Sequence, residues 1–332
     1  MPLKVQCFHP FARGDLVKTA IVAMVACLML IMVPAANAAP VKLSGEVSIR
    51  YETDAAADGP TESGLIYTFT LKGRKEIGKN LSLYGRLGAQ YASNPDLGDT
   101  DLPGYDKSVR SVAAIDQFGL VYEANKFTYI LGRQNIAVGV TALLYSRPET
   151  NIGANAFVDG LSVAGTAGSF DVSAIAAREN NIGLDNNSFY ALRAGYRLSK
   201  CTTIGITQAR YQYYNAGPSN HWAVDGTITW GKSSLTAEYT QSNSNAENIA
   251  HAIVWNYKFN AKTAMYVSNF RVGAHGDMGG QSDYDNNNRG FHYGIIHSFN
   301  DKLSLELIFK DQVSLAGEIK NTKFEATLRN TF

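Results

Sequence analysis

Cysteine is nearly absent from this 332-residue chain, which holds only Cys7, Cys27 and Cys201. The first two fall in a segment assigned below to processing, so Cys201 is left alone and no internal disulfide can form. An excess of charge of one sign is missing too, with 30 Lys and Arg against 29 Asp and Glu. Without a basic stripe, nucleic acid is excluded as a partner. Past residue 38 no apolar run approaches ~18 residues, so no helix there can span a bilayer. Long stretches of 3.6-residue periodicity are lacking as well.

Catalytic and metal signatures are equally scarce. His221, His251, His275, His292 and His297 show no H-x-x-x-H spacing and have no cysteine partners, so no metal site is expected. No G-x-S-x-G elbow or phosphate-cradling glycine loop occurs after residue 38. His297 and Ser298 are adjacent, and adjacent strand residues face opposite ways, so they form no dyad. The acid-rich stretches carrying Asp96, Asp99 and Asp101, and Asp283 and Asp285, lack the spacing of a calcium loop and read as solvated loops. The chain is expected to be no enzyme and to need no cofactor.

The N-terminus holds the one long apolar run. Lys4, Arg13 and Lys18 precede "IVAMVACLMLIMV", followed by Pro34 and "AANAA". A positive start, ~7–15 apolar residues and an A-x-A-like site describe a secretory signal peptide. Cleavage is expected after Ala38, making residues 1–38 the signal and 39–332 a single domain. An uncleaved anchor would need a longer apolar core, ~20 residues.

What the rest has in abundance is a two-residue rhythm. In "VKLSGEVSIRYE", Val41, Leu43, Gly45, Val47, Ile49 and Tyr51 alternate with Lys42, Ser44, Glu46, Ser48, Arg50 and Glu52. On a strand these sets face opposite ways. The pattern returns in "LSLYGRLGAQY", "HWAVDGTITW", "NIAHAIVWNYKF", "FHYGIIHSF" and "LSLELIFK", and it persists to the last residues, "KFEATLRNTF". Short turns near residues 78–80, 124–126, 167–169, 199–200, 231–233, 260–262 and 300–301 alternate with longer polar connections. Seven turns and eight loops predict sixteen strands of about ten residues, the length that crosses a membrane when tilted.

Three features favour a transmembrane antiparallel β-barrel over a secreted β-sandwich adhesin, which alternates similarly. Short and long connections alternate strictly. Aromatics such as Tyr51, Tyr91, Trp222, Trp230, Phe259 and Phe299 gather near strand ends, where interfacial girdles lie. The faces opposite the apolar ones hold Arg, Glu, Gln and Thr, too polar for a dry core. Closure satisfies every backbone hydrogen bond in hydrocarbon, and about sixteen strands leave an aqueous channel.

The segment "GLVYEANKFTYILGRQNIAVG" (119–139), with "VKLSGEVSIRYE", "YTFTLKGRKEIGKNLSLYGRL", "FVDGLSV" and the terminal Phe332, resembles the general diffusion porins of Gram-negative bacteria. The resemblance covers essentially all of residues 39–332. It implies a homotrimer of sixteen-stranded barrels in the outer membrane, among its lipids and lipopolysaccharide. Small hydrophilic solutes and ions would pass by diffusion. It also implies that the third loop, "NIAVGVTALLYSRPETNIGANA" (135–156), folds inward to narrow each pore, with basic wall residues facing loop acids. On this basis Arg133 matches a wall arginine, Glu149 the loop carboxylate, and Phe332 the assembly signal. Glu46 stands where the family often has Lys, Thr68 where it has a wall Arg, and Asn330 where an apolar residue is usual.

The alternation itself points Arg50, Arg86, Arg193, Arg197 and Arg271 at the lumen, with Glu46 and Thr68 on the same wall. Arg133 shares parity with Phe127, Tyr129 and Leu131, so it reaches the pore only through a bulge or at the end of the outward face. Arg133, Glu149, Arg86 and Arg50 are the expected constriction. The alternative within membrane barrels, a substrate-selective channel or outer-membrane hydrolase, would need an aromatic slide or a Ser–His pair, and neither is evident.

Overall fold

The computed structural model describes residues 40–57, 59–97, 110–179 and 186–332. The expected signal peptide therefore lies outside the described residues, as do Asp99 and Asp101. The described residues from Lys42 onward form strands and loops: β1 (Lys42–Ala56), β2 (Thr61–Gly78), β3 (Leu81–Ala92), β4 (Ser111–Ala124), β5 (Phe127–Gln134), β6 (Ile136–Val138), β7 (Tyr145–Arg147), β8 (Val158–Ala167), β9 (Phe170–Glu179), β10 (Ser188–Arg197), β11 (Thr202–Gln212), β12 (Ser219–Trp230), β13 (Ser233–Ser242), β14 (Ile249–Lys258), β15 (Thr263–Val272), β16 (Asn288–Ser298), β17 (Leu303–Ser314) and β18 (Lys320–Thr331).

Sixteen of these close into one antiparallel barrel in which each strand pairs with its neighbours in the chain and β18 returns to β1. The remaining two, β6 and β7, form a small hairpin inside the third long loop. All seven short turns fall where the sequence places them. Asn80 and Asn125 take left-handed backbone conformations (φ 63° and 55°) at two of these turns, which asparagine tolerates better than most residues.

Closure is made at the last residue. Gly45 and Phe332 exchange backbone hydrogen bonds of 2.9 and 3.0 Å. The Phe332 ring lies where a side chain on Gly45 would stand, and its centroid is 6.5 Å from that of Phe69. Only glycine leaves that space.

Alternation gives the barrel two unlike faces. The outer one carries Leu43, Val47, Ile49, Leu83, Leu131, Leu192, Ile206, Val224, Ile295 and Leu328, all exposed. Aromatics form two outer bands. Near the short turns, Tyr122 packs on Tyr129 at 6.0 Å, Phe170 on Tyr196 at 5.0 Å and Tyr257 on Phe259 at 5.1 Å. Toward the long loops, Tyr67 packs on Tyr91 at 6.2 Å and Trp222 on Tyr239 at 5.6 Å. Two aromatic belts bounding an apolar zone match the two interfaces of a bilayer.

The inner face differs around the circumference. On β1 to β3 and β16 to β18 it is charged and polar. On β9 to β12 it carries an apolar patch, with Ile175, Ala177, Phe189, Ala191, Ala209, Tyr211 and Ala223 buried in one cluster together with Leu144, Tyr145 and Met278 from loops. An apolar inner wall exists because something covers it.

Candidate pore constriction

The cover is the third long loop, residues 135–157. Gly139 sits at φ +95° against the Glu238 carboxylate, where any side chain would collide. This close approach lets Thr141 donate both its backbone N–H and its Oγ1 to Glu238 Oε2, each at 2.8 Å. Next, Leu144 and Tyr145 sink into the apolar cluster, with the Tyr145 ring 4.4 Å from Phe189. Tyr145 and Tyr211 both donate their hydroxyls to Glu179 Oε1, at 3.0 and 2.9 Å. Burial, reinforced by the Glu179 charge, pushes the Tyr145 hydroxyl far above its usual range, so it stays a donor.

The returning arm of the loop is held on the other side of the barrel by Arg86 of β3. Its guanidinium donates to Asp116 through Nε (2.8 Å) and Nη2 (2.7 Å), stacks on Phe157 at 4.6 Å, and donates to the backbone oxygens of Glu149 and Asn151. Asp116 can reach it because β4 carries one extra residue opposite β3, between Ile115 and Gln117. That bulge turns both Asp116 and Gln117 inward. One loop touching β3 and β4 on one side and β9, β11 and β13 on the other must cross the lumen.

A second loop joins it. In residues 273–287, Met278 enters the same apolar cluster, and Tyr284 packs on Phe270 at 4.9 Å and His292 at 5.6 Å. Met278 N–H donates to the Leu144 oxygen (2.8 Å) and Asp283 N–H to the Ala142 oxygen (3.2 Å), while Ser146 N–H donates to Gln281. Asp277 accepts from Gly280 N–H (3.2 Å), Ser282 N–H (3.3 Å) and Asn286 Nδ2 (2.8 Å). Burial nevertheless pushes its carboxyl up to about 6, and burial raises the Asp283 carboxyl too.

The two loops fill one side of the barrel and leave a cavity of 880 Å³ on the other, against β1 to β3 and β14 to β18. Its charged lining is balanced. Arg50, Lys72, Arg86, Arg147, Lys310 and Arg329 face it, and so do Glu46, Glu149, Asp283, Asp285, Glu306 and Glu325. Lys72 and Glu149 meet at 2.7 Å between wall and loop. The wall itself is a ladder of ion pairs: Arg50 with Glu52 (3.1 Å) and Glu325 (3.6 Å), Lys310 with Glu325 (3.2 Å), Lys323 with Glu52 (2.7 Å), and Arg329 with Glu46 (3.0 Å).

The expected residues separate accordingly. Glu149, Arg50, Glu46 and Thr68 line the cavity. Arg86 borders it but is 2% exposed and serves as the anchor of the loop. Arg193 is on the inner face, paired with Asp225 at 2.7 Å, and Arg197 pairs with Asp171 at 3.3 Å beside a short turn.

Two expectations are corrected. Arg133 stays on the outer face, opposite Phe118 and Asp159 in the register; it bonds Asp159 at 2.9 Å and stacks on Phe118 at 5.1 Å. The bulge that could have re-aimed it lies in β4 instead. Arg271 also points outward, in a row with His251 and Arg289. Its neighbours Phe270 and Val272 take the inner positions because they pack under Leu143 and Tyr284.

Sequence reasoning passed over Lys72, Lys310, Glu306, Glu325 and Arg329, although their alternation was readable. The stretch carrying Asp283 and Asp285, expected as a solvated loop, instead belongs to a segment, residues 273–287, that folds against the third loop. The signal for inward loops was present where both faces of a strand are apolar, as at Phe189 and Tyr190. Among the described residues no group of three or more His, Cys, Asp or Glu is placed to hold a metal.

No protein-family model matches the chain, and no curated protein matches its sequence. Solved structures do match. Salmonella typhi OmpF, in complex with daunomycin, has a TM-score of 0.61 at 12% identity over 88% of this chain and 97% of that one. A multiple variant of the Rhodopseudomonas blastica porin has a TM-score of 0.58 at 12% identity over 88% of this chain and 100% of its own. A triple variant of that porin gives 0.57 at 11% identity, over 88% and 100%. At such identities the likeness is one of architecture: this chain shares the closed sixteen-stranded antiparallel barrel of those porins.

Proposed function

We propose that the protein is an outer-membrane porin, a water-filled barrel through which small hydrophilic solutes and ions diffuse without turnover or cofactor. The carrying observation is the charged cavity of 880 Å³ enclosed by a barrel whose outer face is apolar between two aromatic belts. A polar lumen inside an apolar exterior suits a membrane and is the reverse of a soluble sandwich. The N-terminal segment, read as a signal peptide, would direct export. Phe332, placed at the seam of closure beside Gly45, would serve the assembly machinery as a recognition signal. The trimer rests on the resemblance to general porins and on the fold shared with solved ones.

The test is electrical. Mature protein in detergent, added to a planar bilayer, is expected to give stable conductance steps that close in thirds. A silent bilayer together with a detergent-free soluble protein would overturn the reading.

A further inference from the structure

The apolar patch on β9 to β12 is covered by loops; a smaller one on β14 to β17 stands open to the cavity. There Tyr266 lies opposite Gly294 and Gly294 opposite Ile308, with Val254 diagonal to Tyr266. Val254, Tyr266 and Ile308 all line the 880 Å³ cavity and are part-exposed.

Gly294 explains how Tyr266 sits. The ring occupies the space that a side chain on Gly294 would take, so it lies down along the wall and turns a face to the lumen. A glycine in mid-strand weakens the strand and marks a place of close approach. Here the approach lays an aromatic surface flat where a solute passes.

Charge borders the strip, and that charge is already paired. Glu325 lies opposite Ile308 in the register. It is 3.2 Å from Lys310 and 3.6 Å from Arg50, while Arg329 is 3.0 Å from Glu46 and 3.8 Å from Glu306. An ion or a zwitterion would have to break such pairs to bind. A hydroxyl need not, because it both donates and accepts. It can take a hydrogen bond from a guanidinium and give one to the neighbouring carboxylate while the pair stays together. A solute with an apolar face rimmed by hydroxyls therefore matches the strip and its border at once. Its C–H face rests on Tyr266 and Ile308, and its rim meets Arg329, Glu306 and Glu325. An apolar floor with a few placed polar groups is the usual make of a small-molecule site.

We infer that Tyr266, laid over Gly294 and flanked by Ile308, is a binding subsite for neutral sugar rings inside the passage. The inference rests on the channel reading and names the class of solute that the channel holds longest.

The test is a titration of the mature protein in a planar bilayer with maltotriose, a neutral oligosaccharide. Parallel titrations use a poly(ethylene glycol) of the same mass and glycine betaine, a zwitterion. Maltotriose is expected to interrupt the ion current at lower concentration than either. Y266A is expected to weaken the maltotriose block about tenfold, the loss of one aromatic face. G294V, which pushes the ring off the wall, is expected to weaken it as well, whereas Y266F keeps the face and is expected to retain most of the block. Conductance steps in sugar-free buffer report that each variant has folded, and the Y266A and Y266F pair decides the matter alone if G294V does not assemble. Equal sensitivity of wild type and Y266A would overturn the subsite. Block by the polymer or by betaine as strong as that by maltotriose would overturn the sugar assignment. Normal wild-type conductance without sugar block sinks only the subsite, and absence of conductance in wild type sinks the channel and the subsite with it.

Discussion

Arg86 concentrates the energetics of the third loop in one side chain. It is buried, and it holds a buried carboxylate, an aromatic face and two loop carbonyls at once. Removing one partner of such a pair leaves the other charge uncompensated, at a cost of about 3–5 kcal/mol. R86Q is therefore expected to free the returning arm of the loop, raising single-channel conductance and open-channel noise in a planar bilayer. Conductance equal to wild type would show that Tyr145 and Thr141 hold the loop without it. Lys72 and Glu149 act at the same scale but with opposite sign. K72Q removes a positive charge from the passage and E149Q a negative one, so the reversal potentials of the two variants are expected to move in opposite directions, toward cations for K72Q and toward anions for E149Q.

Among the elements, the loop of residues 273–287 responds to pH through Asp277. Its carboxyl sits at about 6 when the loop is docked, against 3.8 as the ordinary value. The docked loop thus binds a proton that a released loop gives up. Docking is favoured fully below about 3.8 and loses this contribution as pH rises through about 6. Asp283 in the same loop shifts in the same direction. Channel fluctuations are expected to be quieter at pH 5 than at pH 7.5, and D277N, which cannot ionise, is expected to remove most of the difference. At the seam between β18 and β1, a valine at position 45 would occupy the space of the Phe332 ring. G45V is expected to slow folding into detergent micelles or to lower the melting temperature, followed by the shift of the barrel on unheated gels.

For the whole molecule, six basic and six acidic side chains around one cavity leave little net field along the passage. Selectivity from charged rings needs an imbalance. The reversal potential of the wild-type channel under a potassium chloride gradient is expected near zero, and a strongly ion-selective channel would contradict the balanced lining. The solved porins share this architecture at 12% identity. A barrel asks only for alternation and turns, which many sequences supply.

The sequence by itself determined the barrel. Alternation in "VKLSGEVSIRYE" and turns such as "GKN" and "ANK" are local, and a one-residue slip would turn a whole apolar row into the lumen. Strand number, register parity and the lumen positions of Arg50, Glu46 and Thr68 followed from that alone. Only the tertiary structure decided what fills the lumen. Leu144, Met278 and Phe189 are distant in sequence and meet because two loops fold inward across the barrel. It also decided where parity breaks or changes meaning. A bulge at Asp116 builds the anchor for Arg86, while Arg133 and Arg271 remain outside at the loop rim. Period-two reasoning specifies which face a side chain takes; it carries no information about how far along the membrane normal that face stops being hydrocarbon.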